Sequence, residues 1–168
     1  MLSWFSISAL VFLFVFDLRY GLLPDRVTIP ATMIVFFGAG IARSLGSPSG
    51  SLWMTIWGSF FSLLGAIAFG AAFFATQYFL SRGRWVGGGD IRMGALVGAI
   101  AGWPGVLVAL GLSYLVGAAT AIILVATGKK KLRGDTLPMG PFLAIGALVT
   151  MFWGDRIVEA VLYPYRIL

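Results

Sequence analysis

The sequence contains no cysteine and no histidine, and only 11% of its 168 residues are charged. The chain therefore has no thiol nucleophile, no Ser-His triad, no disulfide and no zinc site built on cysteine or histidine. Any chemistry must come from carboxylates, hydroxyls, lysine or arginine. We expect neither a metal ion nor a cofactor.

The chain is too apolar for a soluble domain of this size, since 60% of its residues are hydrophobic. The apolar stretches lack the alternation of an outer-membrane barrel, so helices must satisfy the backbone within lipid. The sequence predicts an all-α polytopic membrane protein, a six-transmembrane-helix bundle that forms a single domain over 1–168. The predicted spans are 1–16, 27–42, 52–80, 91–103, 106–127 and 137–153.

Four of these spans, the first, second, fourth and sixth, are shorter than the roughly 20 residues that cross a bilayer. We expect their ends to extend into the flanking loops or to lie where the bilayer is thinned. Residues 155–168 become apolar again but are too few to span, which predicts an interfacial tail.

The net charge of +6 is interpreted as a topology signal, because basic residues in short loops contact the headgroups of membrane lipids. No nucleic-acid partner is expected. If the N-terminus lies outside, nine basic residues face the cytoplasm and three face the other side. This asymmetry predicts a multi-pass protein of the inner (plasma) membrane with its N-terminus outside. The inner set is Arg19, Arg26, Arg82, Arg84, Arg92, Lys129, Lys130, Lys131 and Arg133, and the outer set is Arg43, Arg156 and Arg166.

Two of the six acidic residues occupy costly positions in this topology. Asp17 directly follows the apolar run VFLFVF, and Asp90 opens the fourth span. An ionisable group at such depth costs roughly 2.5–3.5 kcal/mol and is usually retained for function, facing protein or a water-filled cavity. Both residues are predicted on the cytoplasmic side.

Glycine spacing indicates where Asp90 points. Gly94, Gly98 and Gly102 follow it at steps of four, so all four residues share one helical stripe of the kind that permits close helix packing. We therefore expect Asp90 to face the bundle. A purely structural role, with glycines for packing and Asp90 as a helix cap, is the alternative for this stretch.

The three residues before Asp90 are also glycines, and we expect them to form an active-site loop. Glycine reaches backbone angles closed to other residues and can come near another backbone or a bound peptide. The loop is Gly87, Gly88 and Gly89.

Two aspartates at helix ends on one side of the membrane suit aspartyl proteolysis. One carboxylate takes a proton from water while the other, protonated, donates to the scissile carbonyl. Asp17 lies near a helix C-terminus, which opposes ionisation, and Asp90 lies at an N-terminus, which favours it. This polarity favours Asp90 as the base and Asp17 as the acid, although coupled carboxylates titrate as a pair.

Three segments resemble the type IV prepilin peptidases and the related preflagellin peptidases, a family of GxGD membrane aspartic peptidases. They are DLRYGLLPDRVTIP at 17–30, GGGDIRMGALVGAIAG at 87–102 and LPMGPFLAIGAL at 137–148. The resemblance implies an endopeptidase that removes the basic leader from prepilins or pilin-like precursors at the cytoplasmic membrane face. It implies that Asp17 and Asp90 are catalytic, and we expect Asp25 to cap its loop.

Two departures from the family pattern stand out. The family usually has lysine two residues after the GxGD aspartate, where this chain has Arg92. Bifunctional members carry an N-terminal region, often with Cys-x-x-Cys pairs, that is linked to N-methylation. The chain begins one helix before Asp17 and has no cysteine, so we expect the short form, a peptidase without methyltransferase activity.

Other functions remain open at the level of sequence. A different GxGD intramembrane aspartyl protease would cut within a transmembrane helix, and a proton-coupled transporter or assembly scaffold would use the carboxylates as a relay. Gln77, the only side-chain amide, could contact a substrate backbone or bridge two helices.

Overall fold

A computed structural model describes residues 1–46, 52–128 and 137–162, and these residues form six α-helices with no strand among them. The helices are α1 (Leu2–Tyr20), α2 (Asp25–Gly46), α3 (Leu52–Ser81), α4 (Gly88–Ala101), α5 (Gly105–Ala126) and α6 (Gly140–Leu162). The predicted all-α bundle and the order of its six apolar segments are confirmed.

Five of the helices are long and apolar enough to cross a membrane: α1, α2, α3, α5 and α6. Large apolar side chains are exposed along all five, for example Phe12, Met33, Phe61, Leu115 and Phe152. Such surfaces suit contact with lipid rather than water. The chain is a multi-pass membrane protein.

The fourth helix differs from the others because it has only 14 residues, which gives a length of about 21 Å. Seven of those residues are buried, and α4 packs against α2, α3, α5 and α6. The short predicted span is therefore the central helix of the bundle, surrounded by protein rather than by lipid.

The glycine stripe of α4 forms the seam with α3. A Cβ atom on Gly94 would overlap the backbone carbonyl of Gly70, and one on Gly98 would overlap that of Ala66. Only glycine permits this backbone-to-backbone approach. The predicted close packing is confirmed for these two residues, whereas Gly102 instead lies against the guanidinium of Arg43 on α2.

The last helix is longer than the predicted span at 137–153, because α6 continues to Leu162. The first part of the predicted interfacial tail is thus an extension of α6. The rest of that tail and the basic run at 129–133 lie outside the described residues.

Candidate active site

Asp17 lies in the last turn of α1 and is only 5% exposed. The helix ends just beyond it because Gly21 adopts the left-handed conformation, with φ of 63°, which glycine reaches without a steric penalty. The Gly21 N–H donates to the Asp17 backbone carbonyl at 2.8 Å. This C-terminal cap fixes where the carboxyl group leaves the helix.

A backbone amide from the far end of the chain holds the Asp17 side chain. The N–H of Gly140, the first residue of α6, donates a 3.1 Å hydrogen bond to Asp17 Oδ2. A Cβ atom on Gly140 would lie 2.6 Å from that oxygen, so the contact depends on glycine. Gly140 begins the Gly-Pro-Phe run at 140–142 of the third family-like segment, here called the GPF segment, which thus contributes directly to the site.

Asp90 is the third residue of α4 and is 8% exposed. The Gly87 N–H donates to Asp90 Oδ2 at 2.9 Å, so the side chain caps its own helix from the first turn. Asp90 faces the bundle, as the glycine spacing predicted. A carboxylate in the first turn is also favoured by the positive end of the helix dipole.

The three glycines before Asp90 do not have the backbone geometry expected of them. Gly87 lies at φ −80° and ψ 160°, which any residue can adopt, and neither Gly88 nor Gly89 is in the positive-φ region. The expectation of angles closed to other residues is therefore wrong. Of the three glycines, only Gly89 lies so close to another segment that a side chain would be crowded, since a Cβ atom there would lie 3.0 Å from Leu23 Cβ.

Asp17 and Asp90 come to the same end of the bundle, although they are 73 positions apart in the chain. The helices that carry them, α1 and α4, both pack against α2 and α6. Each carboxyl group is held through its Oδ2 atom by one backbone N–H. Neither Oδ1 atom has a hydrogen-bond partner within the described part of the chain, so each carboxyl group keeps one oxygen for another ligand.

Asp25 and Arg92 form an ion pair between the first residue of α2 and the first turns of α4. Asp25 was expected to cap its loop, but within the described ranges its carboxylate bonds only to Arg92. The pair connects the segment after Asp17 with the helix that carries Asp90. Arg92 lies two positions after Asp90, and no sequence pattern pointed to this partner.

Tyr114 forms a further polar contact between helices that the sequence did not indicate. Its hydroxyl donates a 2.7 Å hydrogen bond to Gln77 Oε1, which bridges α5 and α3. The interhelical role considered for Gln77 is confirmed.

No group of three or more acidic, cysteine or histidine residues that could hold a metal ion occurs among residues 1–46, 52–128 and 137–162. What the described residues bring together is a pair of carboxyl groups, each held by one backbone amide. The fold and the site define a multi-pass α-helical membrane protein with two buried carboxyl groups at one end of the bundle.

Comparison with known proteins shows which family this is. Residues 4–122 match the model of the type IV leader peptidase family, and the chain belongs to that family. It is 33% identical over 156 residues to a prepilin leader peptidase/N-methyltransferase of Xanthomonas campestris, covering 87% of this chain and 47% of that protein. A protein of the same name from Bacillus subtilis is 34% identical over 153 residues, covering 91% and 56%.

A third relative, the prepilin leader peptidase/N-methyltransferase of Legionella pneumophila, is 32% identical over 156 residues, which cover 93% of this chain and 50% of the relative. The chain thus spans about half the length of the curated relatives it matches. No solved structure matches.

Proposed function

We propose that the chain is a membrane aspartic endopeptidase that removes the leader peptide from type IV prepilin-like precursors. The observation that carries the proposal is the convergence of Asp17 and Asp90, both buried, at one end of the bundle. Family membership supports the substrate class, because the relatives are named as prepilin leader peptidases. We propose Asp17 and Asp90 as the catalytic residues and residues 87–89 as the active-site loop.

In the proposed reaction, the unbonded oxygens of the two carboxyl groups hold one water molecule. The ionised carboxylate takes a proton from this water as its oxygen attacks the scissile carbonyl carbon, while the protonated carboxyl group donates its proton to the carbonyl oxygen. The tetrahedral intermediate then collapses. The C–N bond breaks as the leaving nitrogen accepts the proton that the base took from water, and one hydroxyl of the intermediate returns its proton to the carboxylate that acted as the acid, which regenerates both groups.

The two aspartates are polarised by their positions in the helices. Asp90 lies in the first turn of α4, and Asp17 lies in the last turn of α1. The helix dipole favours a negative charge at the first position and opposes it at the second. We propose Asp90 as the base and Asp17 as the acid in the resting enzyme, with the two carboxyl groups titrating as a coupled pair.

We propose that the site opens to the cytoplasm in the inner (plasma) membrane and that the N-terminus lies outside. Within the described ranges, five arginines lie at the end of the bundle with Asp17 and Asp90, and two lie at the other end. This asymmetry supports the orientation through the positive-inside rule. The first group is Arg19, Arg26, Arg82, Arg84 and Arg92, and the second is Arg43 and Arg156.

The proposal is tested by co-expressing the full chain with a prepilin-like precursor and following loss of the leader on a gel. We expect cleavage by the parent chain and none by Asp17→Asn or Asp90→Asn. Glu159→Gln, at the other end of the bundle, is the matched control and should cleave normally. Mass spectrometry of the product should place the cut between the basic leader and the apolar segment.

Three results would reject the proposal. Full cleavage by either active-site variant would remove the paired-carboxylate mechanism. A cut inside an apolar helix would instead indicate another kind of GxGD intramembrane protease, while intact processing with loss of proton-coupled flux in both variants would indicate a transporter.

A further inference from the structure

A second polar site lies at the end of the bundle opposite to Asp17 and Asp90. A cavity of about 310 Å³ opens there between the ends of α2 and α4 and the segment 150–156 of α6. Charged side chains line it: Arg43 from α2, and Asp155 and Arg156 from α6. None of them has a role in the proposed cleavage.

Arg43 enters this cavity at the C-terminal end of α4. Its guanidinium packs so closely on Gly102 that a Cβ atom there would overlap it, and Gly102 has φ of +65°. Arg43 makes no hydrogen bond or ion pair with any described residue, although Asp155 lines the same cavity. A guanidinium carries five N–H donors in a planar fork, so this group retains its capacity to bind an anion.

Arg156 adds a second guanidinium to the same cavity. It too makes no hydrogen bond or ion pair with the described residues. With two arginines and one aspartate, the lining of the cavity has a net charge of +1. Arginine pairs bind phosphate bidentately, with directional hydrogen bonds as well as charge.

The position of the cavity indicates where such a phosphate would come from. Arg43 is in the last turn of a membrane-length helix. Trp153, which also lines the cavity, is 53% exposed, and Trp103 just beyond the end of α4 is 51% exposed. Exposed tryptophans at helix ends are typical of the membrane–water interface, at the level of the lipid headgroups. At that level, arginine side chains between helix ends can reach the phosphate of a lipid headgroup.

We propose that this cavity binds an anionic phospholipid headgroup, with its phosphate held by Arg43 and Arg156, in the leaflet opposite to the carboxylate pair. Asp155 accepts hydrogen bonds from headgroup hydroxyls and repels a second phosphate. The site therefore selects a hydroxylated headgroup with a single phosphate, such as that of phosphatidylglycerol. Phosphatidylcholine, which has no hydroxyl donor and no net negative charge, binds weakly.

The test uses the full chain in a mild detergent with photoactivatable phosphatidylglycerol, and the crosslinked peptide is identified by mass spectrometry. We expect labelling of the segment around Trp153, reduced about tenfold or more in Arg43→Gln/Arg156→Gln. Arg19→Gln/Arg84→Gln, with the same loss of charge at the other end, should leave that label unchanged. Unlabelled phosphatidylglycerol should compete at least tenfold better than phosphatidylcholine.

Three outcomes would overturn the inference. These are equal labelling in the double variant, equal competition by the two lipids, or displacement of the label by millimolar inorganic phosphate, which would make the cavity a site for a soluble anion. If the double variant does not fold, as judged by size-exclusion chromatography, the exposed residue Arg156 is replaced alone. Arg156→Gln should then lower labelling severalfold, and unchanged labelling rejects the proposal.

Discussion

The backbone N–H of Gly140 donates a 3.1 Å hydrogen bond to Asp17 Oδ2, across 123 positions of the chain. It connects the first residue of α6 with the last turn of α1. The bond satisfies one oxygen of a buried carboxyl group, which would otherwise be costly to hold in the membrane. The GPF segment thus orients one of the two proposed catalytic acids.

Replacing Gly140 with alanine should lower precursor cleavage by about tenfold or more, which corresponds to about 1.4 kcal/mol of activation free energy. The added Cβ atom would lie 2.6 Å from Asp17 Oδ2 and 3.2 Å from Asp17 Cβ, so the carboxyl group must move. The measurement is the initial rate of leader removal. Gly111→Ala on α5 is the matched control, because a Cβ atom at that position would meet no neighbouring helix or side chain within 4 Å. Equal rates for the two variants would contradict this role of Gly140.

The Asp25–Arg92 ion pair should orient the Asp90 end of α4. Both partners are about half exposed, so the pair should contribute no more than about 1 kcal/mol to the free energy of unfolding. We expect Arg92→Glu to lower the cleavage rate severalfold by repulsion from Asp25. Asp25→Arg/Arg92→Glu should restore part of that rate. Arg92→Lys, which retains the charge, should remain near the parent rate.

If Asp25→Arg/Arg92→Glu restores none of the cleavage rate, Arg92 acts through some other contact. Thermal unfolding of each variant separates an effect on activity from an effect on stability. We expect the midpoint to change little in all three variants, because exposed ion pairs are screened by water and salt.

The α3–α4 seam should not tolerate a methyl group. Gly98→Ala would push against the Ala66 carbonyl, and such overpacking costs typically about 1–3 kcal/mol. We expect a clear fall in the thermal midpoint of the detergent-solubilised chain. Gly65→Ala, one residue from Ala66 on α3 but with open space around its Cβ, should be neutral or slightly stabilising. Equal midpoints for both variants would count against the close backbone contact.

The Tyr114–Gln77 hydrogen bond should couple α5 and α3 energetically. Interhelical hydrogen bonds in membranes average about 0.6 kcal/mol. A double-mutant cycle with Tyr114→Phe and Gln77→Leu, read by unfolding in detergent, should therefore give a coupling energy near that value. Strictly additive effects would mean that the bond contributes nothing to stability.

The 168 residues should cleave a precursor without methylating its new N-terminus. They contain no cysteine, whereas the resemblance links methyl transfer to a region that often carries Cys-x-x-Cys pairs. Purified chain incubated with a prepilin and S-adenosylmethionine is analysed by mass spectrometry of the product. A mass increase of one methyl group would refute this prediction, while cleavage alone supports it.

Much of the fold follows from local sequence. Apolar runs bounded by charged turns predicted six helices in the correct order, because lipid forces each run to satisfy its own backbone hydrogen bonds. Boundaries were less accurate, since capping decides them. Gly21 extends α1 to Tyr20, and α6 continues to Leu162.

The orientation of Asp90 was also predictable, because the spacing of Gly94 and Gly98 from Asp90 is a property of one helix. Local sequence likewise placed Asp17 at a helix end on the same side of the membrane. These inferences needed only the 3.6-residue period and the topology rule.

Tertiary packing alone decided which groups complete the site. The Gly140 amide, the Asp25–Arg92 pair and the Tyr114–Gln77 bridge each join different helices. No local pattern specifies such partners, because they depend on the rotation and depth of one helix against another. The sequence by itself determined a six-helix membrane chain in which Asp17 and Asp90 each lie at the end of a helix. Only the packing around the short α4 decided that both acids are buried at one end of the bundle, each held by a backbone amide.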